Sequence, residues 1–200
     1  YYEQAKNKGF TLKEIPIAID AIAIVVHPSL SIKGLTLKQV DDIYNGKIRN
    51  WQEVGGPNLT INPYSKVKDS PPFQKFASTT TEALRLLAND RGGIYKTSAP
   101  LAVSQCNVKT VPLADEKSGK LDFIPPYQEP FIPLSECPNK RNKLNIEAFK
   151  NNTYPHTRRL FVVVKKDGQL AEQAGEYYAK MLLTDQGQEL IEKAGFVRLR

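Results

Sequence analysis

Tyr64-Ser65-Lys66-Val67-Lys68-Asp69-Ser70-Pro71-Pro72-Phe73 gathers hydroxyls, ammonium groups and a carboxylate into one short stretch. Those groups suit the holding of a small anion. A helix's first turn offers free N–H groups, and its dipole favours negative charge there. The sequence predicts a strand ending just before this stretch and a helix opening inside it. Ser70 is then the N-cap or a hydroxyl donor, and Lys66 supplies the countercharge, with Ser65 and Asp69 nearby. Pro71 and Pro72 suit the first helical positions, but each removes one N–H. Taken alone, a capped helix beside lysines is more often only that.

Other chemistry is thinly supplied. The chain contains no GxSxG, GxGxxG, HExxH or phosphate-loop pattern. Asp41-Asp42 reads as a solvated pair, and His27 and His156, each beside a proline, read as loop or core residues. Two histidines and two cysteines without zinc spacing argue against a metal site. The expectation is therefore a protein that is not an enzyme, with no cofactor and no metal. Cys106 and Cys137 lie in loop-like, proline-rich surroundings. They form either a disulfide, which implies an oxidising compartment, or two free thiols.

The elements that must position the stretch follow from periodicity. "TLKEIPIAIDAIAIVVHPS" is one long strand or two consecutive ones, with Pro16 at an edge or a break. "LTLKQVDDIYNGKI" is a helix with Thr36 as N-cap, Gln39 closing a capping box and Gly46 at the C′ position. Leu37, Val40 and Tyr44 share one of its faces. "TTTEALRLLAND" is a second helix, burying Ala83, Leu84 and Leu87. Short strands follow at "GIYKTSA" and "VKTVPLA". Asp122 to Asn142 is a long ordered loop dense in proline and aromatics. After it come a strand "RRLFVVVK", a helix with Ala171, Ala174, Tyr178, Met181 and Leu182 near one face, and a helix capped by Thr184. This order gives an α/β protein.

Length and composition fit one larger domain or two small lobes, with 40% hydrophobic and 24% charged residues. The net charge of +7 attracts anions. No block of about five or more like charges occurs, and aromatics do not alternate with basic residues, so nucleic acid is not expected as a partner. No apolar run reaches the ~18 residues of a membrane-spanning helix.

"EIPIAIDAIAIVVHPS", "LTLKQVDDIYNGKIRNWQEVGGPN", "INPYSK" and "LLTDQGQELIEKAGFVRL" stand in the same order as in periplasmic phosphate-binding proteins. These are the substrate-binding subunits of phosphate ABC transporters, and the chain resembles them over most of its length. Residues 74–152 resemble them only loosely. The resemblance implies a type II periplasmic-binding-protein fold, two α/β lobes with the ligand in the cleft. Residues 1–27 and 155–200 would form a partial first lobe and 28–154 the second.

The resemblance further implies an extracytoplasmic or periplasmic protein feeding phosphate or a related anion to an inner-membrane ABC permease. The family's second-lobe pattern, Tyr-Ser-Arg-x-x-Gly-Ser-Gly-Thr, falls here on Tyr64 to Pro72. Lys66 stands for the arginine, keeping charge but losing the bidentate fork. Ser70 matches the serine, Asp69 replaces a glycine, and Pro71 and Pro72 replace a glycine and the threonine. The family's N-terminal portion precedes the segment where this sequence starts. The first lobe would then be incomplete, its exposed sheet edge open to self-association. A rival expectation is a divergent sensor or interaction domain that keeps the fold and has lost transport.

Overall fold

The computed structural model describes residues 1–116 and 121–199. Two compact units divide the chain: a terminal unit, Tyr1–Asp20 with Arg158–Arg200, and a central unit, Ala21–Thr157. The division falls at Asp20/Ala21 and Thr157/Arg158.

In the central unit, the second half of β1 (Thr11–Val26) is an interior strand of its sheet. It pairs antiparallel with β5 (Gly93–Ser98), Ile22 opposite Ser98 and Val26 opposite Ile94. On its other side β6 (Lys109–Val111) pairs antiparallel, Ile24 opposite Val111. Beyond β5 lie β3 (Asn62–Ser65) and β4 (Lys75–Phe76), both parallel, giving the order β4-β3-β5-β1-β6. A strand with neighbours on both sides and layers on both faces needs apolar side chains throughout, and every residue from Ala21 to Val26 is buried. The short strands β2 (Leu35–Thr36) and β7 (Leu113–Ala114) form a separate parallel pair.

Helix α1 (Tyr2–Asn7) belongs to the terminal unit; α2 (Leu37–Tyr44) belongs to the central one and opens with the expected capping box. Thr36 Oγ1 accepts the Gln39 N–H at 3.1 Å, and Gln39 Oε1 accepts the Thr36 N–H at 2.9 Å. Gly46 has φ +71°, which a side chain would strain. Leu37 and Tyr44 are only half-buried, and the core residues are Val40, Ile43 and Asp42. The solvated Asp41-Asp42 pair is thus half right. Asp41 is exposed, whereas Asp42 is buried and bound by Lys38 and Lys47. The Lys38 bond, then that of Lys47, holds its carboxyl below the usual range.

Helix α3 (Thr80–Leu87) buries Ala83, Leu84 and Leu87, as its spacing predicts, against Val25, Tyr64 and Tyr95. Trp51 is fully buried and donates its indole N–H to the Gly92 carbonyl at 3.1 Å. Short helices α4 (Ala99–Ala102) and α5 (Ile146–Lys150) complete the unit. Tyr154 lies edge-on to Phe149 and gives its hydroxyl proton to the Ile22 carbonyl at 2.9 Å. Cys106 and Cys137 form the disulfide, which resolves the open alternative and pins the loop of Asp122 to Asn142.

In the terminal unit the first half of β1 carries Pro16 without interruption and pairs with β8 (Thr157–Lys166). Helices α6 (Leu170–Leu182) and α7 (Asp185–Lys193) follow. Gly175 places α6 close to the sheet, where a Cβ would meet Val164 at 3.1 Å. Gln188 is buried on α7 and acts as a clamp. Its amide donates to the Ile17 and Leu182 carbonyls at 3.0 and 2.8 Å, and its carbonyl accepts the Leu199 N–H at 2.9 Å. Arg158 donates twice to one oxygen of the buried Asp20, at 2.9 and 3.1 Å.

Helix α6 reverses its predicted face. Ala171, Ala174, Tyr178 and Met181 are exposed, Leu182 alone of the expected face is half-buried, and Ala179 is the buried residue. Close approach to Val164 selects the small residues Gly175 and Ala179 for the inner face and turns the larger side chains outward.

Candidate functional site

Strand β3 delivers the chain to Ser65, and the residues expected to hold an anion follow in the loop to β4. Ser65 Oγ accepts the Val67 N–H at 3.1 Å, and the Ser70 N–H donates to the Val67 carbonyl at 3.3 Å. These bonds fold Ser65 to Ser70 into a tight turn. Lys66, Lys68 and Asp69 are exposed, and Ser65 and Ser70 are half-buried. The loop is fastened behind them. Gln74 donates to the Tyr44 carbonyl at 2.8 Å, and Phe73 packs beside Gly46 beneath the Arg49 guanidinium.

The structure thus brings Ser65, Lys66, Asp69 and Ser70 together, but not at a helix start. Ser70 caps no helix, and Pro71 and Pro72 lead through a turn into β4. The Gln74 N–H closes that turn on the Pro71 carbonyl at 2.8 Å. Pairing of Lys75 and Phe76 with Tyr64 and Ser65 outweighs the helix-opening preference of the prolines.

The helix opens later, at Thr80, amid Ser78, Thr79, Thr80 and Thr81. Thr79 Oγ1 accepts the Glu82 N–H at 3.1 Å. The Glu82 carboxylate folds back to take the Ser78 N–H at 2.8 Å and the Ser78 hydroxyl proton. The hydroxyl-rich start of α3 therefore already holds an internal anion. Bonds from the Ser78 hydroxyl and N–H, with the charge of Arg85 adding to them, hold the Glu82 carboxyl below its usual range. The legible signal was Thr79-x-x-Glu82, a capping pattern that the earlier Pro-Pro pair obscured.

Tyr64 is committed elsewhere. Its hydroxyl donates to Asp90 Oδ2 at 2.9 Å, and Asp90 also accepts from Asn62 at 2.8 and 3.0 Å, Lys75 at 2.8 Å and the Gly92 N–H at 3.1 Å. Burial, then the bond to Asp90, pushes the Tyr64 phenol far up. Burial pulls the Asp90 carboxyl up, but the bonds from Lys75, Asn62 and Tyr64 outweigh it and leave it low. This network locks β3, β4 and the turn before β5 and commits the Tyr64 hydroxyl proton to Asp90.

Several open depressions mark the central unit, one of about 350 Å³ lined by Thr80, Thr81, Leu84 and Arg85 of α3; two others are wider. One of about 510 Å³ lies between α4 and residues 138–144, lined by Val103, Ser104, Arg141 and Lys143. The other, about 520 Å³, is lined by Asp115, Asp122, Asn152, Thr153 and Thr157. Neither includes residues 65–70. Among the described residues no group of three or more His, Cys, Asp or Glu could hold a metal ion, and no helix is long and apolar enough to cross a membrane.

A family profile described as a PBP superfamily domain matches residues 2–186. The phosphate-binding protein PstS of Borreliella burgdorferi is 25% identical over 94% of this chain and 66% of its own length. PstS of Pseudomonas aeruginosa is 24% identical over 96% of this chain and 61% of its own length. The chain thus spans just under two thirds of the length of these curated relatives. Among solved structures, an ABC-type phosphate transport receptor from Vibrio cholerae superposes with a TM-score of 0.66 at 18% identity, covering 93% of this chain and 72% of the receptor. That likeness carries the type II binding-protein fold.

Proposed function

The chain belongs to the PBP superfamily, and from that premise we propose that it is an extracytoplasmic substrate-binding protein. It takes phosphate or a similar oxyanion and hands it to an ABC permease. The observation that carries this reading is the near end-to-end match of this chain to relatives named phosphate-binding proteins. The Cys106–Cys137 disulfide supports an oxidising compartment outside the cytoplasm. The chemistry in view is binding rather than catalysis.

Within this reading the exposed turn of Ser65 to Ser70 supplies the central unit's contacts. Lys66 gives a point charge, and Ser65 and Ser70 give hydroxyls. Asp69 accepts a proton still carried by the phosphate, since a bare carboxylate beside a fully ionised oxyanion would repel it. The start of α3 is neutralised by Glu82, so a ligand there competes with that carboxylate.

Isothermal titration of phosphate, with sulfate as the second arm, tests this. Lys66→Ala is expected to weaken phosphate binding about tenfold, or ~1.4 kcal/mol. Glu82→Gln leaves affinity unchanged if the turn alone binds and raises it if α3 takes part. A chain that binds neither anion sinks the reading. A sensor or interaction domain then takes its place, a second reading favoured by the internal carboxylate at α3.

A further inference from the structure

Lys96 belongs to no motif in the sequence, yet the fold sets it beside the turn of Ser65 to Ser70. It lies on β5, one residue past Tyr95. Strands β3 and β5 run parallel with Tyr64 beside Tyr95, and the next step of that register sets Ser65 beside Lys96. Tyr64 and Tyr95 both pack into the core with Ala83 and Leu87 of α3. Alternation along the strands then turns Ser65 and Lys96 to the opposite face, about 5 Å apart. That is the face of α2, where the Lys96 ammonium stands 4.4 Å from the centre of the Tyr44 ring. The loop to β4 returns over the same face: Gln74 is bonded to the Tyr44 carbonyl, and Phe73 packs beside Gly46.

The ammonium is unspent. Lys96 is half-buried, and among the described residues no carboxylate or carbonyl takes a bond from it. A lysine that gives up part of its hydration ordinarily gains such a partner in exchange. Here only a ring face attracts it. The neighbouring cations are committed or lie in water. Lys75 is bound to Asp90 at 2.8 Å, Lys47 to Asp42 at 3.2 Å and the Arg49 Nε–H to the Gly46 carbonyl at 2.9 Å, while Lys66 and Lys68 are exposed. Ser65 Oγ accepts the Val67 N–H, so its own proton is available to a ligand.

We propose that Lys96 is a ligand-binding residue of the anion site, its ammonium and the Ser65 hydroxyl meeting the same oxyanion. The inference rests on the phosphate-binding reading and sharpens it. Within the turn the charges of Lys66 and Asp69 cancel, and that of Lys68 is spent in water. Lys96 restores a net positive charge. It acts from a partly desolvated position, where a charge is screened less than at an exposed one. An ammonium is a point charge without the planar fork of a guanidinium. Two of them, on separate strands of chain, suit a compact tetrahedral anion that still carries a proton for Asp69.

Titration of phosphate into the 200-residue chain and its variants tests this. Lys96→Met, close in length and without charge, should weaken binding at least about tenfold, and Lys96→Arg should keep it within about threefold. Lys68→Met, at an exposed position, should change it less than about twofold. Circular dichroism checks that each variant is folded. A second measurement needs no variant: acetylation of the unaltered chain's amines, read by mass spectrometry. Saturating phosphate should slow it at Lys96 and leave it unchanged at exposed Lys8. Three results in a chain that binds phosphate overturn the inference and leave the phosphate-binding reading standing: affinity intact in Lys96→Met, a loss that Lys96→Arg does not restore, or no protection of Lys96. An unaltered chain that takes up no anion sinks that reading and the inference with it.

Discussion

Strand β1 runs through both units and meets two fates. From Ala21 to Val26 every residue is buried between β5 and β6. From Thr11 to Asp20 only Ala18 and Asp20 are buried, although Ile15, Ile17 and Ile19 are as apolar as Ile22 and Ile24. Burial is set by what lies beside and above a strand, not by its own composition. The central unit accordingly rests on large buried side chains, among them Trp51, Tyr154, Phe149 and Leu87. The buried hydrophobics of the terminal unit are smaller: Ala5, Ala18, Val164, Ala179, Ile191 and Val197. Polar fasteners supplement them, notably Arg158–Asp20, Lys13–Glu176, Lys166–Glu172 and the Gln188 clamp. One unit is held by volume, the other to a larger degree by charge and hydrogen bonds.

The largest expected effect attacks volume. Trp51→Ala should cost the central unit about 3–5 kcal/mol in denaturant unfolding. Hydrogen exchange in α6 and α7 should stay unchanged, and equal loss of protection in both units would break the contrast. Next, reducing Cys106–Cys137 removes a cross-link spanning 31 residues and should cost about 3–4 kcal/mol, also confined to the central unit. Third, Arg158→Ala strips charged hydrogen bonds from an aspartate 1% exposed and should cost about 2 kcal/mol, seen as faster exchange in β8.

The smallest effects come from pH and salt. Glu172 sits below its ordinary range, chiefly through Lys166, Glu176 chiefly through Lys13, and Asp167 chiefly through Lys165. Their support is complete above the unfolded carboxylate value of about 4 and is lost as pH falls through the lower folded values. Lys166 is raised, chiefly by its bond to Glu172, so its support is present at neutral pH and lost only in strong alkali. The central unit has depressed carboxylates of its own at Asp42, Glu82 and Asp90, but it also has the larger apolar core, so acid or about 1 M salt should open the terminal unit first. Central-unit exchange rising first would reverse the comparison.

Local signals were legible where one stretch of chain holds the whole cause. Thr36 with Gln39 and Gly46 set α2, and Ala83, Leu84 and Leu87 set the face of α3. The face of α6 was not legible, because periodicity shows a stripe but not which side meets the sheet. The Gly175–Val164 approach decides that and is a tertiary fact. The site divides in the same way. Charge and hydroxyls at Ser65 to Ser70 were plain in the sequence. The pairing of Tyr64 with Lys75 that keeps them in a turn joins residues eleven apart, and the local Pro-Pro signal pointed the other way.

The disulfide also governs what a protease leaves behind. A nick anywhere between Cys106 and Cys137 would cut the backbone, yet both pieces stay covalently joined through sulfur. The proline-rich loop between them can thus lose continuity without releasing a fragment. On a gel, a nicked chain would run as one band until a reductant is added, and as two bands afterwards.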